Sequence, residues 1–165
     1  MKRHESQRGY FAYELHQQMK ENKDICLLTG DLGYGMFNTI RDDYPDRFFN
    51  CGASEQAMVG IAVGMTYRGK IPIVYSITNF VLFRPFEWIR NYIDHEKAPV
   101  ILVGAGRDMD YKEDGWTHQS PDAKKALACF PNVRQYWPQT KQDGADVLKQ
   151  AIESKQPSFI SLIRK

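Results

Sequence analysis

Six short strand-like runs, each closed by glycine, proline or a polar turn, limit what this chain can fold into. They are Ile25–Thr29, Arg47–Cys51, Ile71–Ile77, Pro99–Val103, Val133–Trp137 and Pro157–Ile163. Most are apolar without a period of two, the pattern of strands covered on both faces. Helical stretches separate them. Ser6 can cap a helix to about Asn22, with Tyr10, Phe11, Leu15 and Met19 on one face. Phe37–Tyr44 is a short helix stopped by Pro45, and an apolar helix runs from Glu55 to Gly69. Ser120-Pro121-Asp122 opens a helix to about Phe130, and Lys141–Ser154 is the last. Strands alternating with helices predict the α/β class: a three-layer α/β/α domain over residues 1–165, with a mostly parallel, doubly wound sheet of about six strands.

Composition narrows the function classes. Lysines and arginines are scattered among acids and the net charge is only +2, so no basic stripe for nucleic acid exists. Cys26, Cys51 and Cys129 lack C-x-x-C spacing and read as reduced core thiols, neither a disulfide frame nor a zinc site. The four histidines are dispersed, and no metal site is expected. The charged N-terminus has no apolar signal core, and no apolar run reaches the roughly 18 residues of a membrane span. A cytoplasmic protein is expected.

Ligands of open parallel sheets sit at the carboxyl ends of the strands. Four informative loops fall there: Gly30–Gly35, Cys51–Glu55, Ile77–Phe83 and Gly104–Gln119. Neither Gly30-Asp31-Leu32-Gly33-Tyr34-Gly35 nor Gly104-Ala105-Gly106 completes a nucleotide fingerprint, and a tight turn accounts for each. Phe80, Phe83 and Phe86 recur every three residues, which suits a core stripe or a flat ligand, while Arg84 and Glu87 read as a local ion pair or surface charges. Glu113-Asp114-Gly115-Trp116-Thr117-His118-Gln119 is too polar for a core and fits a ligand loop. Glu55 is the one carboxylate on the first turn of a helix apolar on nearly all sides, hence a buried helix. It either complements the helix dipole beside Ser54 as cap, or is a buried carboxyl needing a partner or a proton. Gly60 and Gly64 leave a smooth strip, against which either the sheet or a second helix backbone could lie.

Four pieces occur in order: Thr29-Gly30-Asp31-Leu32-Gly33, Gly52-Ala53-Ser54-Glu55-Gln56-Ala57-Met58, Thr78-Asn79-Phe80-Val81-Leu82-Phe83 and the Glu113–Gln119 loop. With them the chain resembles, over nearly its whole length, the pyrimidine-binding domain of the transketolase family of thiamine diphosphate enzymes. The resemblance implies the thiamine diphosphate-binding fold of pyrimidine type. It makes Glu55 the partner of N1′ of the cofactor's aminopyrimidine, where a carboxyl in an apolar pocket prefers its neutral form and can share its proton. That favours the tautomer that takes the thiazolium C2 proton, and the resulting ylid attacks a ketose or 2-oxo acid. Phe80 and Phe83 match ring-stacking positions and Phe86 the aromatic one turn on; Asp31, with Leu32 beside it, matches a stretch close to the cofactor. Asp114 and His118 match residues contacting the donor's hydroxyls, His118 standing with Glu55 as catalytic.

The resemblance also has gaps. The diphosphate-binding domain with its G-D-G…N motif and the family's C-terminal domain are missing, the chain ending about where a pyrimidine domain would. It therefore implies a split transketolase-like enzyme moving a two-carbon ketol unit between sugars. A separate diphosphate-binding subunit would bring the Mg²⁺ ligands, in an α₂β₂-type assembly with contacts near the Gly60–Gly64 strip. Arg3 and Arg164 fall where transketolases hold substrate phosphate, but Gly106 replaces a histidine, Gly35 a serine and Trp116 a proline, while Arg107 follows a deoxyxylulose-phosphate synthase pattern. Deoxyxylulose-phosphate synthesis, 2-oxo acid decarboxylation and a non-catalytic regulatory subunit remain as alternatives, and a nucleotide-binding module as a more distant one.

Overall fold

In the computed structural model, which describes residues 1–164, six strands form one sheet: β1 (Ile25–Thr29), β2 (Phe48–Asn50), β3 (Ile71–Ile77), β4 (Ile101–Ala105), β5 (Arg134–Tyr136) and β6 (Ser158–Leu162). Every neighbouring pair is parallel, in the order β2-β1-β3-β4-β6-β5. The helices are α1 (Gln7–Glu21), α2 (Asn38–Asp43), α3 (Glu55–Thr66), α4 (Thr78–Phe83), α5 (Phe86–Trp88), α6 (Ala123–Leu127) and α7 (Lys141–Ser154).

The absence of polar alternation in the strands has its cause in two covering layers. Leu27, Ile73, Ile101 and Ile160 pack against Phe11 and Leu15 of α1 and Leu148 of α7. Their neighbours Leu28, Val74, Leu102 and Phe159 point the other way, onto Met58 and Val59 of α3 and Val81 and Leu82 of α4. Strands buried on both faces must be apolar at successive positions, which is why the period of two is missing. Ser6 accepts a hydrogen bond from the Gly9 N–H and opens α1, while Thr140 and Asp143 form a reciprocal capping box on α7.

The chain leaves β1 toward β2 on one flank and returns to β3 on the other. The carboxyl ends of β1 and β3 therefore part, and the crevice between them is where such a sheet takes ligands.

Three expectations change. The helix expected to run to Phe130 closes at Leu127, and Asp122 makes no capping bond to its start. Cys129 is exposed rather than a core thiol, whereas Cys26 is buried; burial raises the Cys26 thiol above its ordinary value. The Glu55 helix is not buried all round, since Ala57, Ile61 and Gly64 face outward. The aromatic segment after β3 folds as α4, α5 and a π-helical turn over Ile89–His95. No described helix is long and apolar enough to cross a membrane.

One buried side chain ties three segments together. The Gln7 amide donates to the carbonyls of Pro138 and Thr140 at 3.1 and 2.9 Å and accepts from the Ile163 N–H at 2.8 Å. Gln7→Leu would fill the space but leave these groups unpaired, at about 1–3 kcal/mol for each one kept from water. Urea unfolding is expected to give a loss of about 3 kcal/mol; a variant as stable as the parent would contradict this role.

Candidate active site

Glu55, the first residue of α3, lies at the β1/β3 crevice and is 1% exposed. Ser76, near the end of β3, donates to its Oε1 at 2.9 Å. Gly30, just past β1, faces the same oxygen: a Cβ there would stand 2.9 Å from Oε1 and 3.2 Å from the Ser76 hydroxyl. Absence of a side chain at Gly30 is thus what lets the carboxylate sit over the end of β1. The other oxygen, Oε2, accepts from Arg84 Nη1 at 2.6 Å. The pocket is therefore not apolar, as expected from the sequence, but supplies a hydroxyl and a guanidinium. Ser54 does not cap the helix; its hydroxyl turns back to the Cys51 carbonyl.

Arg84 ends α4, and its guanidinium carbon lies 3.8 Å from the centre of the Phe80 ring, within cation–π range. On Phe80 in turn rests His118, the ring centres 5.0 Å apart and edge-on. Tyr111 lies 6.5 Å beyond His118, takes a hydrogen bond from Arg8 at 3.1 Å, and is covered by the Arg164 guanidinium at 5.0 Å. A continuous row thus crosses the strand ends: Glu55, Arg84, Phe80, His118, Tyr111 and the arginines. Asn79 holds the polar loop to α4, donating to the carbonyls of Trp116 and Thr117. Beside Glu55 and Arg84 opens a cavity of about 850 Å³, walled also by Ala53, Ala57 and Trp88.

The residues singled out from the sequence separate into groups. Glu55, Phe80 and His118 belong to the row. Phe83 is 37% exposed at the end of α4, whereas Phe86 is half-buried and packs on Phe130 of the core at 4.7 Å. Asp31, in a left-handed turn, joins the loops after β1 and β2: Asn50 donates to its carboxylate and accepts from its N–H, both at 3.0 Å. The Tyr34 hydroxyl, then the Asn50 amide, hold the Asp31 carboxyl below its ordinary range. Leu32 packs toward the α1–α7 layer. Asp114 is exposed on a short 3₁₀ turn. Arg3 stacks on Tyr10 at 3.9 Å. Arg107 is turned inward, bonded to the carbonyls of Ser161 and Pro138 and to the Ser161 hydroxyl.

Arg84 and Ser76 were not legible as site residues. Arg84 is not paired with Glu87, as their proximity in sequence suggested, but with the buried carboxylate 29 positions earlier. The available signal was the need of a buried Glu55 for a charge partner. Among the described residues no cluster of three or more His, Cys, Asp or Glu side chains could hold a metal ion.

The family model described as "Transketolase, pyrimidine binding domain" matches residues 6–165. The chain belongs to this family. A "Putative transketolase C-terminal section" from Methanocaldococcus jannaschii is 29% identical over 147 residues, covering 88% of this chain and 46% of that protein. A 1-deoxy-D-xylulose-5-phosphate synthase from Dehalococcoides mccartyi is 30% identical over 148 residues, covering 89% of this chain and 23% of the synthase. Among solved structures, a "Split gene transketolase, inactive beta4 tetramer" superposes with a TM-score of 0.85 at 28% identity, over 97% of this chain and 52% of that one. The chain thus spans about half or less of the relatives it matches.

Enzymes of this family use thiamine diphosphate, and the pyrimidine-domain residues present fit a flat nitrogenous ring. Phe80 offers a ring face beside a carboxylate that Gly30 leaves room for. The Glu55–Arg84 pair is asymmetric, Arg84 being 44% exposed and Glu55 1%. Arg84→Met would leave the carboxylate buried without its cation, at about 1–3 kcal/mol. Glu55→Gln keeps an acceptor for Ser76 and lets Arg84 turn to water, at under about 1 kcal/mol. Denaturant unfolding is expected to rank them in that order; equal costs would contradict the pairing.

Proposed function

We propose that this chain is the pyrimidine-binding half of a split transketolase-like enzyme, which transfers a two-carbon ketol unit between sugars. The observation that carries the reading is Glu55, buried at the topological switch of the sheet with the Phe80 ring beside it. Glu55 shares a proton at N1′ of the aminopyrimidine, Ser76 keeps its Oε1 in place, and Phe80 gives the ring a stacking face. His118, packed on Phe80, is placed to hold a donor hydroxyl, and Asp114 lies on the same loop. Thiamine diphosphate, when bound, supplies the electron sink that lets the donor's carbon–carbon bond break. Mg²⁺ and the diphosphate are assigned to a partner subunit, consistent with the split-gene relative.

A synthase-like reaction rested on Arg107. Its guanidinium is spent on Ser161 and Pro138 carbonyls, and burial pushes its pKa below the usual arginine value. That favours the transketolase reading, with Arg8 and Arg164 grouped around Tyr111 beyond His118. A regulatory, non-catalytic subunit would not need Glu55, Phe80 and His118 in one row.

Assembly is assigned to the outward face of α3. Ile61 is 49% exposed there, and a Cβ built at Gly64 meets nothing within 4 Å. Gly60, by contrast, faces the Trp88 ring, which a Cβ built there would meet at 3.3 Å, so only part of the glycine strip is open. Gly64→Leu leaves the fold unstrained and, by helix propensity, stabilises the isolated chain by up to about 1 kcal/mol. Light scattering is expected to show weaker assembly in this variant; unchanged mass with the partner subunit present would exclude this face.

The function is tested by mixing the chain with a diphosphate-binding transketolase subunit, thiamine diphosphate and Mg²⁺. Cleavage of a ketose donor is expected only when both chains are present, and pyruvate is not expected to replace the ketose. Activity from this chain alone would overturn the proposal.

A further inference from the structure

The guanidinium of Arg84 makes two contacts at once. It donates to Glu55 Oε2 at 2.6 Å and lies 3.8 Å from the centre of the Phe80 ring. It is flat, carries N–H donors, and is held by nothing else: among the described residues no other carboxylate pairs with it, and Glu87 lies free of it. These are the two contacts a flat nitrogenous ring would make in the same crevice, one with the buried carboxylate and one with the aromatic face. The side chain is not locked in place. It is 44% exposed, sits at the last turn of α4 before Pro85, and borders the cavity of about 850 Å³ beside Trp88.

We propose that Arg84 is a resident stand-in for the ligand's ring. It neutralises Glu55 and covers Phe80, and ligand entry is an exchange in which Arg84 swings out into the cavity. The inference rests on the reading of the crevice as an aminopyrimidine site and adds a device to it. A carboxylate 1% exposed, with only the Ser76 hydroxyl on one oxygen, cannot lose the donor on the other except at several-fold to hundred-fold cost in population. An uncharged hydrocarbon ring could cover Phe80 but would strand Glu55 once Arg84 had left. Only a ring bringing its own nitrogen to Glu55 completes the exchange. Arg84 thereby sets the site's selectivity as well as its resting state, and it does so through Glu55, as a positioning residue rather than a catalytic one.

The test uses the purified chain and the fragment 4-amino-2,5-dimethylpyrimidine, titrated by NMR with labelled phenylalanine rings and glutamate carboxyls. Removing the competitor in Arg84→Met is expected to tighten fragment binding about ten-fold, with the Phe80 and Glu55 signals moving on saturation. Arg84→Gln, which keeps a polar side chain and no charge, is expected to fall between the two and serves if the methionine variant folds poorly. Toluene-like rings without nitrogen are expected to be rejected while Arg84 is present and to gain at least as much from the substitution, since no cation then has to leave Glu55. Equal or weaker fragment binding in both variants, with Phe80 and Glu55 still responding, would overturn the stand-in and leave the pyrimidine reading in place. No response of Phe80 or Glu55 in any of the three proteins would overturn both.

Discussion

A carboxylate taken out of water at the parting of two parallel strands is the constraint on which the site depends. Burying Glu55 demands partners, because a lone charge in a low-dielectric interior is far costlier than any contact it could replace. Those partners come from separate elements: the hydroxyl of Ser76 from β3 and the guanidinium of Arg84 from α4. Gly30, after β1, contributes by having no side chain. The topology brings them together, since α3 follows β2 on one flank of β1 while β3 and α4 lie on the other. From Arg84 the contacts pass to Phe80 and His118, so the position of the carboxylate and that of the polar loop are coupled through one stack of side chains.

The same helix that carries Glu55 inward presents an apolar side outward. Ala57, Ile61 and Gly64 lie exposed one to three turns from the buried carboxylate, and the cavity beside Arg84 is open rather than enclosed by this chain. An open cleft next to an uncovered helix face is the form the proposed two-subunit site requires. The chain belongs to the pyrimidine-binding domain family and spans about half or less of the relatives it matches.

Much of the fold was legible because its signals were local. The bounds of β1, β3 and α7 read from the sequence coincide with those observed, since an apolar run ended by Gly30, a run ended by Thr78, and a Thr140–Asp143 capping box are each set by a few adjacent residues. The site was legible in part. Glu55, Phe80 and His118, singled out on strand-end loops, stand in one row because those loops meet at one edge of the sheet. Arg84 was not, because its partner lies 29 residues away in sequence and only the packing of α3 on α4 brings them together. Arg107 misled for the complementary reason: a cation at a strand end looks available, but carbonyls of β6 and of the segment before α7 fold around it. The exposed face of α3 and of Cys129 shows the same limit, since apolarity marks what should be covered without saying by which chain.

Turnover of Glu55→Gln in the two-subunit enzyme tests the central claim most directly. Glutamine keeps the size and the Ser76 acceptor but cannot exchange a proton with a ring nitrogen. If Glu55 has the assigned role, ketose-donor cleavage falls by about 10²–10⁴-fold while the two chains still assemble. Turnover equal to the parent's would contradict the account.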